Sequence, residues 1–401
     1  MQTHLTETVL DTEEGREADA ILRKCVHCGF CLATCPTYQL LGDERDSPRG
    51  RIYLIKQVLE GETPTATTQL HLDRCLTCRS CETTCPSGVE YGRLADIGRQ
   101  IVEEKVTRPL PGRLARRALR MLIPHRDRFA AALWLGQLVR PLMPAKLKRR
   151  VPAPSSAKPR PAAGHDRRML LLEGCVQPSL APNTNAAAAR VLDRLGIELV
   201  SRDDTCCGAV SHHLSATREG LDYMRRNIDT WWPDIEAGAE AIVITASGCG
   251  AMIREYGHLL RHDPEYADKA ARVSGLARDL GEVLAGEDLS PLTPARSKPR
   301  VAFHSPCSLQ HGLKVRGVVE RILTEAGFEL TPVPDPHLCC GSAGTYSILQ
   351  KDLANRLKAN KIEALQQGGP AVIATANIGC QTHLQSGTDL PVKHWIELLD
   401  D

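Results

Sequence analysis

The chain lacks the basic-then-apolar leader of a secreted protein: MQTHLTETVLDTEEGREADA is polar and acidic, which points away from an oxidising compartment. It has no Gly-x-Gly-x-x-Gly opening a helix after a strand, so a dinucleotide fingerprint is absent and any flavin is expected on another chain. No Ser-His-Asp or paired-carboxylate arrangement is supported by the residues in sequence. In its most basic tract, the run FAAALWLGQLV is eleven residues long, whereas a bilayer needs about twenty apolar ones, so no transmembrane helix is expected. At 401 residues the chain is long enough to bury real cores without disulfide staples. What it has in plenty is cysteine, sixteen in all. In a reduced cytoplasmic chain that number points to metal.

The spacing of those cysteines narrows the metal. Cys25, Cys28, Cys31 and Cys35 form CVHCGFCLATCP, and Cys75, Cys78, Cys81 and Cys85 form CLTCRSCETTCP. Each is C-x2-C-x2-C-x3-C-P, the bacterial ferredoxin run, in which three thiolates hold one 4Fe-4S cluster and the fourth reaches the other. The expected ligand sets are therefore crossed: Cys25, Cys28, Cys31 and Cys85 for one cluster, and Cys75, Cys78, Cys81 and Cys35 for the second. Zinc also favours thiolates, but it usually closes with two paired Cys-x-x-Cys knuckles, not four cysteines in eleven residues before a proline.

Between the runs, SPRGRIYLIKQVLEG places Ile52, Ile55, Val58 and Leu59 at helical spacing behind Ser-Pro and before Gly61. A helix inserted there makes residues 1–104 resemble the α-helical ferredoxin domain of respiratory iron-sulfur subunits. Arg49 and Arg51 on that helix either face solvent or offset cluster charge. Residues 105–167 form a basic helical connector ending in a Pro-rich linker, VPAPSSAKPRPAAG. Lys105 to Arg160 holds fifteen Lys or Arg against the single acid Asp127, and the remainder of the chain is net acidic. Such a tract suits an anionic membrane surface, an acidic partner subunit or a solvated connector. It lacks a nucleic-acid motif and interleaved aromatics, so no nucleic acid is expected.

Beyond the linker the chain repeats itself. MLLLEGC, ending at Cys175, reads as a strand, NTNAAAARVLDRLG as a helix, TCCGA carries Cys206 and Cys207, and AEAIVITASGCG reads as a strand ending at Cys249. RVAFHSPC with Cys307, GVVERILTEAG, LCCGS with Cys339 and Cys340, and GPAVIATANIGC with Cys380 follow in the same order, 132, 133 and 131 residues on. A repeat this regular implies two pseudo-symmetric α/β lobes, expected over 168–290 and 299–401. Cysteines at strand ends lie where open α/β sheets gather ligands. The glycine after each doublet lets two neighbouring thiolates face one metal centre. A buried thiol pair and a redox-active dithiol are the alternatives.

Two ferredoxin runs followed by two CCG lobes resemble, over nearly the full length, the iron-sulfur subunit family of glycolate oxidase. Related families are the corresponding iron-sulfur subunit of anaerobic glycerol-3-phosphate dehydrogenase, lactate-utilisation proteins and heterodisulfide reductase. The resemblance implies metal ligands Cys175, Cys206, Cys207 and Cys249 in the first lobe, and Cys307, Cys339, Cys340 and Cys380 in the second. In heterodisulfide reductase each lobe closes with Cys-x-x-Cys. Here Ala246 and Asn377 stand at the first cysteine of that pair, which counts against disulfide chemistry and leaves the occupancy of the lobes undecided, although four thiols suffice for a cubane. The family role implied is an electron-transfer subunit, without catalytic residues of its own, that takes electrons from FAD-containing glycolate oxidase subunits toward quinone. The implied location is the cytoplasm, with peripheral contact at the inner face of the cell membrane. A lobe that itself reduces a disulfide or quinone is the rival reading, and the equivalent subunit of a glycerol-3-phosphate or lactate dehydrogenase is another. His212, His213, His304 and His337 lie near the lobe cysteines as tuning, ligating, quinone-binding or simply structural groups, and His27 sits inside the first ferredoxin loop.

Overall fold

The computed structural model describes residues 1–162, 164–203, 205–292 and 298–400, with the side chain of Lys146 excepted. Ala163 of the expected linker, Asp204 of the expected first lobe and Asp401 of the second lie outside the described residues. The chain divides into two compact units, one of Met1–Arg117 with His337–Leu357, the other of Ala118–Pro336 with Lys358–Asp401.

Among the described residues, the regular elements of the first unit are helices. Helices Glu13–Lys24, Pro48–Leu59, Ala66–Asp73 and Tyr91–Lys105 bury Ile21, Leu22, Ile52, Ile55, Leu59, Leu72, Leu94 and Val102 in one core. The helix expected behind Ser-Pro is Pro48–Leu59: the Ser47 hydroxyl accepts from Gly50 N, and Pro48 takes the first-turn position where its missing N–H costs nothing. It lies so close to Tyr91–Lys105 that a Cβ on Gly98 would come within 2.6 Å of Ile55 Cγ1.

The second unit holds two parallel sheets. The first has the order β2-β1-β3-β4, from β1 Arg167–Leu171, β2 Ile197–Ser201, β3 Ile242–Ile244 and β4 Ala277–Asp279. The second has the order β5-β6-β7, from β5 Val301–His304, β6 Val372–Thr375 and β7 Val392–His394. A lone parallel bridge, Val301 to Leu330, stands where the first sheet has β2, so the lobes share an order while the second is thinner. The helices read from the sequence are Pro182–Asp193 and Val318–Glu325. One apolar core runs through both lobes, from Met169, Val191 and Val243 to Phe303, Ile322, Ala374 and Trp395. His394 joins the sheets, its Nε2 lying 2.8 Å from the Thr245 carbonyl.

Two strand readings need correction. The apolar runs before Cys249 and Cys380 leave the sheet early, at Ile244 and Thr375, and both cysteines sit in the first turns of helices Ser247–Arg254 and Ile378–Gln385. The reason is local. Asn377 caps its helix by accepting from Gly379 N, so the residue that stands where a fifth cysteine would be starts a helix instead. In the connector, helices Leu110–Leu122 and Arg126–Val139 contain no buried residue.

Candidate metal centres

The two ferredoxin runs follow the same backbone path. Two and four residues after the leading cysteine, His27 and Gly29 in the first run, and Thr77 and Arg79 in the second, take positive φ of 56°, 85°, 53° and 58°. Left-handed residues at these places turn the short loop on itself, at a cost of about 1–2 kcal/mol for each non-glycine residue. Neither composition nor spacing signals that cost at His27, Thr77 or Arg79. Burial pushes the Cys25 thiol up, and the Cys31 thiol to about 11, with neighbouring sulfurs adding to both. Cys85 is among the charges acting on Cys25, and Cys35 among those acting on Cys81, the neighbours that crossed ligation requires; Cys35 also acts on Cys31.

Arg49 and Arg51, alike in the sequence, are placed differently. Arg49 is half-exposed and pairs with Glu44 at 2.7 Å. Arg51 is buried, donating from Nε to the His71 carbonyl at 2.7 Å and from both terminal nitrogens to Thr37 Oγ1 at 3.2 Å. Thr37 Oγ1 lies 3.3 Å from Cys35 Sγ. Asp46, fully buried, balances the cation, its carboxylate taking Arg51, His71 Nδ1 at 3.0 Å and Arg74 at 2.9 Å. Burial alone would lower the Arg51 pKa, but Cys75, Tyr91, Cys35 and Asp46 raise it on balance. Burial likewise pushes the Cys75 thiol up, yet Arg51 and Arg99 bring it below its ordinary value, whereas Cys81, buried beside Cys78 and Cys75, is held well above. Arg99 also clasps the second loop, donating to the Cys75 carbonyl at 2.6 Å and Thr77 Oγ1 at 2.7 Å. Arg51 and Arg99 thus act on Cys75 of the second run, while Arg49 acts on Cys31 of the first and donates to the His27 carbonyl at 3.4 Å.

In the first lobe the structure brings all four cysteines together. Cys206 lies close enough to Cys175 and Cys207, and Cys207 to Cys249, for each thiol to act on its neighbour. Those thiols, with the backbone N–H groups of Gly208 and Val210, overcome burial and bring Cys206 well below the ordinary thiol range, while Cys175 and Cys207 are pushed well above it by their bonds to Cys206 and by burial. Gly208 makes the turn at φ 87°, and a Cβ there would meet the Gly220 carbonyl oxygen at 2.7 Å. Sequence reading missed two buried supports, Asn227 and Tyr256. Asn227 Nδ2 donates to the Cys206 carbonyl at 3.0 Å, and Tyr256 Oη to the Cys207 carbonyl at 2.9 Å. A buried Asn in helix Thr217–Glu236 carries no sequence signal that separates it from a surface one.

In the second lobe, Cys307 follows β5 and Cys380 rides helix Ile378–Gln385. His304 ends β5, buried, and burial holds its imidazolium pKa well down. Cys339 and Cys340 are buried on the 337–357 segment of the first unit, where Gly341 repeats the φ of 87° and its N–H reaches Cys339 Sγ at 3.4 Å. On the same segment, Tyr346 Oη donates to the Arg74 carbonyl at 3.2 Å. Its hydroxyl, raised mainly by burial, also feels the charge of Cys75 and of Cys339. Of the other histidines, His27 stands edge-on to Tyr53, and His212 edge-on to His213.

Thiols crowded this closely, with N–H groups aimed at sulfur and arginine beside them, form a donor set suited to iron-sulfur clusters. Family comparison agrees. Residues 21–89 match a 4Fe-4S dicluster domain, and 169–254 and 301–385 each match a cysteine-rich domain of the CCG type. The glycolate oxidase iron-sulfur subunit of Escherichia coli (strain K12) is 59% identical over 100% of this chain and 98% of its own length. The chain belongs to the glycolate oxidase iron-sulfur subunit family. A probable member from Bacillus subtilis (strain 168) is 31% identical over 92% of this chain and 89% of its own. Lactate utilization protein A of that organism, by contrast, is 26% identical and matches 58% of this chain. Membership makes the chain an iron-sulfur electron-transfer protein of an oxidoreductase complex. Among the described residues no helix is long and apolar enough to cross a membrane.

Proposed function

We infer that this chain relays electrons from FAD-bearing partner subunits that oxidise glycolate, and passes them toward quinone. What supports this most is full-length identity of 59% to a glycolate oxidase iron-sulfur subunit. Each bound 4Fe-4S cluster supplies a one-electron carrier. Cys25, Cys28, Cys31 and Cys85 would hold one, and Cys75, Cys78, Cys81 and Cys35 the other. Arg51 and Arg99 favour added negative charge at the second set, which fits passage of electrons from the first set to the second. Tyr346, beside both Cys75 and Cys339, marks the exit toward the second doublet.

The lobes fit the same reading. Cys175, Cys206, Cys207 and Cys249 would hold a third cluster, and Cys307, Cys339, Cys340 and Cys380 a fourth by the internal repeat. Asn377, spent on capping a helix, counts against lobes that reduce disulfides. Trp134, Leu135 and Leu138 project from helix Arg126–Val139, 61%, 56% and 63% exposed within a basic tract. That face suits docking on an acidic partner subunit, which would hold the relay at the cytoplasmic side of the cell membrane.

Mixing the full chain with its flavoprotein partners, glycolate and either a quinone analogue or an artificial dye tests the reading. With Cys78→Ser, quinone reduction should fall at least tenfold while dye reduction at the flavin persists. Undiminished quinone reduction would refute it.

A further inference from the structure

We propose that His304 is a metal ligand of the second lobe, so that its iron-sulfur cluster is held by mixed nitrogen and sulfur donors while the first lobe's is held by thiolates alone. The proposal rests on the reading that the lobes carry clusters, and adds a donor that the internal repeat does not contain. By the 132-residue offset, the counterpart of His304 is Leu172, a buried aliphatic residue in the first lobe's core. Every residue of β5 is buried, so an imidazole at its end must be justified by a partner. For one ring nitrogen none is present: His304 Nε2 is buried and makes no hydrogen bond among the described residues. Leaving such a group unsatisfied costs about 1–3 kcal/mol.

Sulfur lies close by. A ring nitrogen of His304 and Sγ of Cys380 lie within 4.8 Å of each other, both side chains buried in the second unit. Metal bonds to imidazole nitrogen and thiolate are about 2.0–2.3 Å, so donors this close can both reach irons of one cluster. Cys307, three residues beyond His304, brings a further thiol to the same strand end. Where the neutral imidazole takes an iron site from one of the four cysteines, which then stays a neutral thiol, the cluster is one negative charge lighter and its reduction potential rises. The second lobe then becomes the stronger electron acceptor of the two.

The test uses the anaerobically purified full chain, its iron content, and pulsed EPR of the reduced clusters. The parent should show nitrogen hyperfine coupling on one lobe signal. Cys380→Ser should lose about four irons. His304→Leu, which installs the first lobe's residue, should abolish the nitrogen coupling, with or without loss of that iron. His304→Cys should restore iron, and lower that signal's potential. No imidazole coupling in the parent overturns the proposal whether or not any variant folds. Unchanged iron and spectra in His304→Leu, with iron lost from Cys380→Ser, overturns it while leaving the lobe clusters standing. If Cys380→Ser and Cys207→Ser both keep the parent's iron, the lobe reading falls and His304 with it.

Discussion

Arg51 and Arg49 stand two apart on one helix, and Arg49 faces a salt bridge near solvent while Arg51 is sealed against the second set of thiols. Replacing Arg51 with Met would leave Asp46 buried with one cation fewer, a loss of about 3–5 kcal/mol for a broken buried pair. The same change should lower the reduction potential of the second cluster and spare the first, which a redox titration followed by EPR resolves. Equal shifts in both signals would contradict the assignment of Arg51 to the second set. Cys35→Ser provides the companion check. It should damage the second cluster because the fourth cysteine crosses over, and an intact second signal with the first lost would reverse the crossed ligation. At this scale the eight sulfurs of the two runs were legible as a dicluster pattern because ferredoxin spacing is a direct consequence of cubane geometry. The partition between Arg49 and Arg51 was not, since helical periodicity cannot distinguish a cation facing a core from one at its edge when neither neighbour is apolar enough to decide.

Elements built around the doublets were partly legible. The glycine after each pair was read as a turn, and Gly208 and Gly341 both take φ of 87° with a carbonyl oxygen where a Cβ would go, Gly220 O at 2.7 Å and Ala354 O at 2.8 Å. Gly208→Ala should therefore force the first lobe's backbone apart and cost that lobe its iron, about four atoms if it holds a cubane. Iron analysis at parental level would contradict this. The strand ends were less legible, because AIVITASGCG reads as one apolar run, and only the short β3 and the helix after it show where pairing stops. Asp279 at the end of β4 was not singled out at all. It caps its helix through Gly281 N, and burial, with a contribution from Glu282, raises its carboxyl to about 7. The folded state then binds a proton that the unfolded chain has released, so this group's contribution to stability falls as pH rises from 3.8 to about 7. Asp279→Asn should remove that slope. Denaturant midpoints of parent and variant, measured from about pH 4 to about pH 7, should converge, or cross in the variant's favour, as pH rises; a constant difference would show that Asp279 does not titrate there.

For the whole molecule, the duplication and the order of domains were visible in offsets of 132, 133 and 131 residues, because a repeated supersecondary unit preserves spacing even where side chains diverge. The shared core was not, since Trp395 and Val301 give no sign in sequence that they pack into the same cluster as Met169 and Val243. Nor was the docking face resolved. Several of the connector's arginines are engaged within the chain, among them Arg116 with Asp73 at 3.1 Å and Arg120 with Glu219 at 3.2 Å, so reversing these would disturb the fold as well as any interface. Trp134→Glu with Leu138→Glu probes the exposed face instead. This pair should weaken co-purification with the flavoprotein partner at least tenfold while leaving iron content unchanged, and unaltered co-purification would assign the face to another role. The central claim is that electrons from glycolate pass through this chain's clusters. Freeze-quench EPR of the assembled complex after mixing with glycolate, without quinone, measures it directly: the account predicts reduced 4Fe-4S signals that appear after flavin reduction and decay when quinone is added. Flavin reduced by glycolate and reoxidised by quinone while the clusters stay oxidised throughout would contradict it.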